Sequence, residues 1–198
     1  MSRPSSDIAF SPSVKRVQEE RGSRAAYARV ERGFATEVDE RLRAFLARAE
    51  TGFLATASAE GQPYIQHRGG PPGFIRALDD RTLAFADLAG NRQYVSTGNL
   101  AENDRVCLIL VDYARRQRVK IWGRARIAPA TEELLGRLAP LDPKVQVEHV
   151  VLLSLTAWDV NCPKHIPQKL DAADVAQAVE RLQARIAELE AENRALRR

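Results

Sequence analysis

The sequence predicts a mainly β protein of the α+β type: an antiparallel six-stranded barrel with flanking helices and a C-terminal coiled-coil helix. Three observations carry this reading. Six runs of strand length follow one another between residues 52 and 160 at short spacing. Helix-sized segments between them are too few for a parallel sheet, which needs a crossover in nearly every connection. After residue 171 the apolar residues change to alternating spacings of four and three, the mark of one helical seam.

In chain order, residues 11–31 read as helix, with Ser11 as cap, Pro12 in the first turn and an interruption around Gly22. A second helix over 39–50 carries Leu42, Phe45 and Leu46 as one buried stripe. "GFLATAS" (52–58), the turn "AEGQ" and "PYIQHR" (63–68) make a hairpin. "DDRT" (79–82) turns the chain into "TLAFAD", and "RVCLILVDY" (105–113) is the most strongly β stretch. Past a tip at 115–117, "RVKIWGRARI" puts Val119, Ile121, Gly123, Ala125 and Ile127 on one face. A short helix near 131–139 precedes the last strand, 147–160. The organisation expected is an N-terminal helical arm over 1–38, a barrel over 39–170 and a C-terminal helix over 171–198.

In that final helix Val179, Ile186 and Asn193 fall at heptad position a, and Val175, Leu182, Leu189 and Leu196 at d. β-branched residues at a with leucine at d favour a parallel two-stranded coil, and a buried asparagine fixes its register. A surface helix packed on its own barrel is the alternative reading of the same stripe.

Hydrophobic residues at 44% and charged residues at 28% are those of a folded globular chain, which excludes wholesale disorder. A formal charge of +4 with interspersed signs, and only 6% aromatics, speaks against a nucleic-acid surface. Cys107 and Cys162 form no C-x-x-C, and the three histidines, His67, His149 and His165, are too scattered for a zinc site. No leader-like segment and no run of membrane-spanning length is legible, so a reducing cytoplasm is expected. The H-E-x-x-H, G-x-S-x-G and Gly-Lys-Ser/Thr patterns do not occur.

Two small basic stretches remain, "QHRGGPPGF" at 66–74 and "GNRQYVSTGN" at 90–99. Glycine lets backbone N–H groups approach an anion, and arginine offers a planar fork of donors suited to phosphate oxygens. Arg68 with Gly69 and Gly70, and Asn91 with Arg92 and Gln93, supply that combination. Gly and Asn are also ordinary turn formers, and an exposed arginine is ordinarily just solvated. "STGN" reads as a helix end and turn, separate from the clamp.

The ordered set "FLATASAEGQPYIQHRGG", "TLAFADLAGNRQ", "NLAEN", "RVKIWGRARI" and "WDVNCPKHIPQ" resembles the pyridoxamine 5′-phosphate oxidase-like family of FMN-binding split barrels, over about residues 40–168. The resemblance implies a homodimer with FMN in a cleft at the subunit interface and a small-molecule substrate. It implies that Gln66, His67 and Arg68, with Gly69 beside them, line the isoalloxazine and ribityl chain, Arg68 reaching toward the phosphate. Ala86 and Asp87 match a strand end whose backbone contacts the flavin. Asn91, Arg92 and Gln93 match a Ser-Arg-Lys phosphate clamp, and Arg118 a position that approaches the flavin from the partner subunit.

Three departures stand out. The clamp lysine is Gln93, Gly-Pro replaces a second strand cation, and "WDVNCPKHIPQK" (158–169) stands where the true pyridoxamine phosphate oxidases carry an Arg-rich segment. These favour FMN binding while arguing against pyridoxamine phosphate as substrate. In the departing segment Trp158 and His165 are read at the flavin edge, with His165 the candidate for proton exchange; the other reading makes Trp158 a packed anchor. Cys162 has no cationic cluster beyond Lys164 and His165, which argues weakly for a reactive thiol. An oxidoreductase, a non-catalytic flavin-sensing module that uses its coil to recruit a partner, and a barrel holding deazaflavin or haem all fit the residues.

Overall fold

The computed structural model describes residues 4–30, 33–160 and 164–197. The chain divides into two compact units. The larger takes in the described residues up to Val111 and again from Arg118 to Val160; the smaller comprises Asp112–Gln117 and the described residues from Lys164 onward.

The larger unit begins with a 3-10 turn, Ser5–Ile8, then α1 (Pro12–Glu20) and α2 (Arg24–Val30). Ser11 caps α1 by accepting from the Val14 amide, and the break between the helices falls at Gly22, whose φ is +71°. α3 (Glu40–Leu46) is capped by Asp39, whose carboxylate accepts from the Leu42 amide at 2.9 Å. Leu42, Phe45 and Leu46 are all buried, each contributing about 1.5–3 kcal/mol of burial free energy.

Seven strands follow: β1 (Thr51–Ala57), β2 (Pro63–Gly69), β3 (Arg76–Ala77), β4 (Thr82–Leu88), β5 (Arg105–Asp112), β6 (Gln117–Pro129) and β7 (Val147–Val160). They form one sheet in the order β2-β1-β5-β6-β7-β4-β3, so the expected six strands become seven. The extra strand is two residues long, too short to show an alternation in sequence. β1 and β2 run antiparallel from Thr51 opposite Gly69 to Ala57 opposite Pro63, joined by a turn in which Gly61 takes φ +87°. β1 alternates strictly between half-buried and buried positions, and Leu54, Leu108, Leu110, Val119, Ile121, Val151 and Leu153 close the core completely. The β6/β7 register shifts between Trp122 and Gly123, where a Cβ would lie 2.3 Å from the Ser154 carbonyl oxygen. Glycine is what allows the two backbones to approach there.

Two helices lie among the strands: α4 (Val95–Glu102) and the four-residue α5 (Glu132–Leu135). "STGN", read as a helix end and turn, lies instead near the start of α4, whose extent was not legible. Ser96, Thr97, Gly98 and Asn99 are weak helix formers, and the tertiary setting overrides their preference.

In the smaller unit the Asp112 carboxylate accepts from the Arg115 amide at 2.9 Å. Arg116 Nε donates to the Ile166 carbonyl and Gln168 Nε2 to the Ala114 carbonyl, both at 3.1 Å. The Lys169 ammonium sits 4.5 Å from the centre of the Tyr113 ring. α6 (Ala172–Leu196) follows, capped by Asp171 through the Ala173 amide at 2.7 Å. Among the described residues no helix is long and apolar enough to cross a membrane.

Candidate functional site

β2 ends the sheet on one side, and four strands separate it from β4. The sheet nevertheless curls until β2 and β4 come within side-chain reach. Arg68 on β2 donates through Nη1 to the Asp87 carboxylate on β4, and through Nη2 to Gln66 Oε1 at 3.0 Å. The Arg68 and Asp87 side chains are only 11% and 10% exposed, and the guanidinium also lies 5.9 Å from the centre of the Phe85 ring. Arg68 Nε is buried with no acceptor among the described residues. This ion pair bridges a seam that no strand pairing closes.

Two clefts flank it. The first, about 250 Å³, is lined by Gln66 and Arg68 from β2, Asp87 from β4, Asn91, Arg92 and Gln93 from the following loop, Val95, Ser96 and Thr97 from α4, and Glu148 from β7. The second, about 380 Å³, is lined by Gln66, His67, Arg68, Gly69 and Gly70 together with Phe74, Phe85, Ala86 and Leu88. Gln66, Arg68 and Leu88 belong to both walls.

The loop in the first cleft is locally strained. Arg92 and Tyr94 adopt left-handed φ values of +59° and +53°, a conformation that costs a non-glycine residue about 1–2 kcal/mol. Side-chain bonds hold it. Asn91 Oδ1 accepts from the Gln93 amide at 3.2 Å, Arg92 Nε donates to the Tyr94 hydroxyl at 3.2 Å, and that hydroxyl donates to Glu148 Oε1 at 3.1 Å. The Tyr94 hydrogen bond, then the charges of Tyr94 and Glu148, raise the Arg92 pKa further, so its cation is permanent.

The strained turn has a second effect. Tyr94 is the N-cap of α4 but supplies no side-chain cap. The amides of Val95, Ser96 and Thr97 have no intrahelical acceptor, and all three residues line the first cleft. The Ser96 hydroxyl is occupied, donating to Gln66 Oε1 at 2.7 Å. The cleft therefore offers one exposed cation and a helix amino end, a donor set suited to an anion. Its formal charges balance, with Arg68 and Arg92 against Asp87 and Glu148, so aligned donors rather than net charge must carry affinity. In the second cleft His67 Nε2 lies 2.8 Å from Thr51 Oγ1, and its ring meets Phe53 edge-on at 5.6 Å.

Of the residues singled out in the sequence, Gln66, Arg68, Asp87, Asn91, Arg92 and Gln93 come together in the first cleft, and His67, Gly69 and Ala86 in the second. Three stand elsewhere. Trp158 lines neither cleft: it is 3% exposed in the core, its indole N–H bonded to the Glu37 carbonyl at 2.8 Å, which is the packed-anchor reading. Arg118, at the start of β6, also lines neither, and its Nε is buried without an acceptor among the described residues. His165 belongs to the smaller unit, where it adopts φ +65°. Cys162 lies outside the described residues.

Sequence reasoning missed Tyr94, Ser96, Thr97 and Glu148, and it set "STGN" apart from the clamp. Ser96 and Thr97 are in fact walls of the first cleft. The one signal that could have found them is "YVSTGN" directly after an Arg-bearing turn, where a short polar helix start would face whatever the turn holds.

A family model for pyridoxamine 5′-phosphate oxidase matches residues 38–158, more than half of the chain. No curated protein matches. Among solved structures the chain is similar to HupZ from Group A Streptococcus, at 18% identity and TM-score 0.46, covering 67% of this chain and 100% of that one. It is similar to a putative pyridoxamine 5′-phosphate oxidase from Lactobacillus delbrueckii at 19% identity and TM-score 0.47, over 63% and 95% of the two chains. A FAD-binding protein from Mesorhizobium loti follows at 15% identity and TM-score 0.42, over 63% and 94%.

Proposed function

The chain belongs to the pyridoxamine 5′-phosphate oxidase family, and from that membership we propose that it is an FMN-binding oxidoreductase exchanging a hydride between its cofactor and a small organic substrate. The observation that carries this reading is the uncapped amino end of α4 opening beside Arg92 into the cleft. That donor set fits a phosphate monoester. The adjoining second cleft has a mixed wall, with Glu50, Gln66, His67 and Arg68 beside Gly69, Gly70, Phe74, Phe85, Ala86 and Leu88, and in this reading the glycines and Ala86 leave room for a flat ring.

In this reading Arg92, Asn91, Gln93 and the amides of residues 95–97 hold the phosphate. Gln66, His67, Gly69, Ala86 and Asp87 line the remainder of the cofactor. Arg68, neutralised by Asp87, orients Gln66 and holds the two cleft walls together rather than binding phosphate with free charge. When bound, FMN supplies the two-electron redox chemistry at its ring. The protein's own part is to position the ring, exclude water and admit the substrate. A homodimer completes the cleft, with Arg118 approaching from the second copy, and His165 is the candidate for exchanging a proton with substrate. A cytoplasmic setting suits the reduced cysteines this reading assumes.

Titration of the purified chain with FMN, followed by quenching of flavin fluorescence, tests the proposal. Saturable quenching with one FMN per chain is the expected outcome, and failure to bind FMN overturns it. Bleaching of the flavin absorbance by NADH or NADPH then separates an oxidoreductase from a flavin-sensing module, which would bind without turning over.

A further inference from the structure

α6 buries none of its residues. Val175, Val179, Leu182, Ile186, Leu189 and Leu196 stand 43% to 88% exposed along it. Apolar residues scattered singly on a surface need no explanation, but six on one stripe call for a covering partner. In proteins most helical stability comes from packing an amphipathic face against a partner.

We propose that the stripe is covered by the same stripe of a second copy, as a parallel, in-register two-stranded coil. The charges flanking the stripe choose the occupant and the direction. Heptad position e holds Ala176, Gln183, Glu190 and Arg197, and position g holds Ala178, Arg185 and Glu192. In a parallel pair each g residue faces the e residue five positions later on the other helix. Arg185 then faces Glu190 of the second copy, and Glu192 faces Arg197 of the second copy. Symmetry doubles both contacts, and none of them joins like charges. Asn193 meets Asn193 of the second copy in the seam, where two amides satisfy each other.

An antiparallel pair with full overlap does the opposite. It sets Arg185 against Arg185 of the second copy and Asn193 across from Val175, leaving an amide without a partner among apolar side chains. The bonds these residues make within one helix, Arg185 to Glu188 at 2.9 Å and Arg194 to Glu190 at 3.9 Å, are exposed and weak enough to yield. The coil does not depend on the cofactor reading, since α6 contributes no residue to either cleft.

The test uses full-length chains. With Leu189→Cys, mild oxidation should give a reducible covalent dimer well above the level of the unsubstituted chain on a non-reducing gel. Co-expressed with a size-tagged Val179→Cys chain, each variant should join its own kind. Absence of the Leu189→Cys dimer, or a dominant product of mixed size, overturns the proposal, because position 189 lies near 179 of the other helix only in the antiparallel arrangement. Exposed charge swaps give a second reading that leaves folding untouched. A Glu192→Arg chain co-expressed with an Arg197→Glu chain should give mixed dimers in clear excess over random pairing in native mass spectra, and random pairing would also overturn it.

Discussion

Arg68 and Arg92 line the same cleft under opposite conditions. Arg68 is 11% exposed, bonded to a carboxylate and an amide oxygen, and lies against Phe85. Arg92 is open to solvent on a left-handed turn, held through the Tyr94 hydroxyl with Glu148 beyond it. A sequence presents them as two equivalent cations beside glycines. The structure makes one a brace whose charge is already spent on Asp87, and leaves the other free to meet an anion. A cation contributes to recognition only in proportion to the charge its neighbours have not cancelled.

The largest effect should come from the brace. Arg68→Ala leaves the Asp87 carboxylate buried and unpaired, and should lower stability by about 3 kcal/mol or more in denaturant unfolding. Adding Asp87→Ala should recover part of that loss, whereas strictly additive losses would mean that the two residues do not act as a pair. The next effect concerns the free cation. Arg92→Ala should leave the unfolding midpoint in place and weaken FMN binding by about ten- to a hundredfold, measured by fluorescence titration. Equal losses of stability at the two positions would erase the contrast. The smallest effect puts a cation at the position where the family resemblance implies a clamp lysine. Gln93→Lys should tighten FMN binding a few-fold at low salt, and the gain should fade near 1 M salt as screening shortens to about 3 Å.

The strands, the β1/β2 hairpin, the α3 stripe and the capped N-terminal helix were legible because each writes its period or its cap into neighbouring residues. β3 was not, since Arg76 and Ala77 are too few to alternate. Nor was the Arg68–Asp87 pair, which depends on a curl of the sheet that brings together two strands with four others between them in its order. Arg92, which lines the first cleft, stood out by its residue type and its glycine and asparagine neighbours. Ser96 and Thr97 were missed because a helix built on Gly98 and Asn99 has weak local propensity and forms only in context. Trp158 was read toward the flavin by its place near the departing segment, whereas its indole N–H found the Glu37 carbonyl across 121 positions of sequence.

The seam has a consequence for hydrogen exchange. β2 is a terminal strand, so alternate amides along it point away from β1 and meet no neighbouring strand among the described residues. Those amides should trade their protons quickly in the bare protein, while the ones bonded to β1 stay protected. A molecule seated in either cleft would shield the exchanging half of β2 from solvent. The isotope pattern of this one strand would then act as an occupancy gauge, readable without any turnover at all.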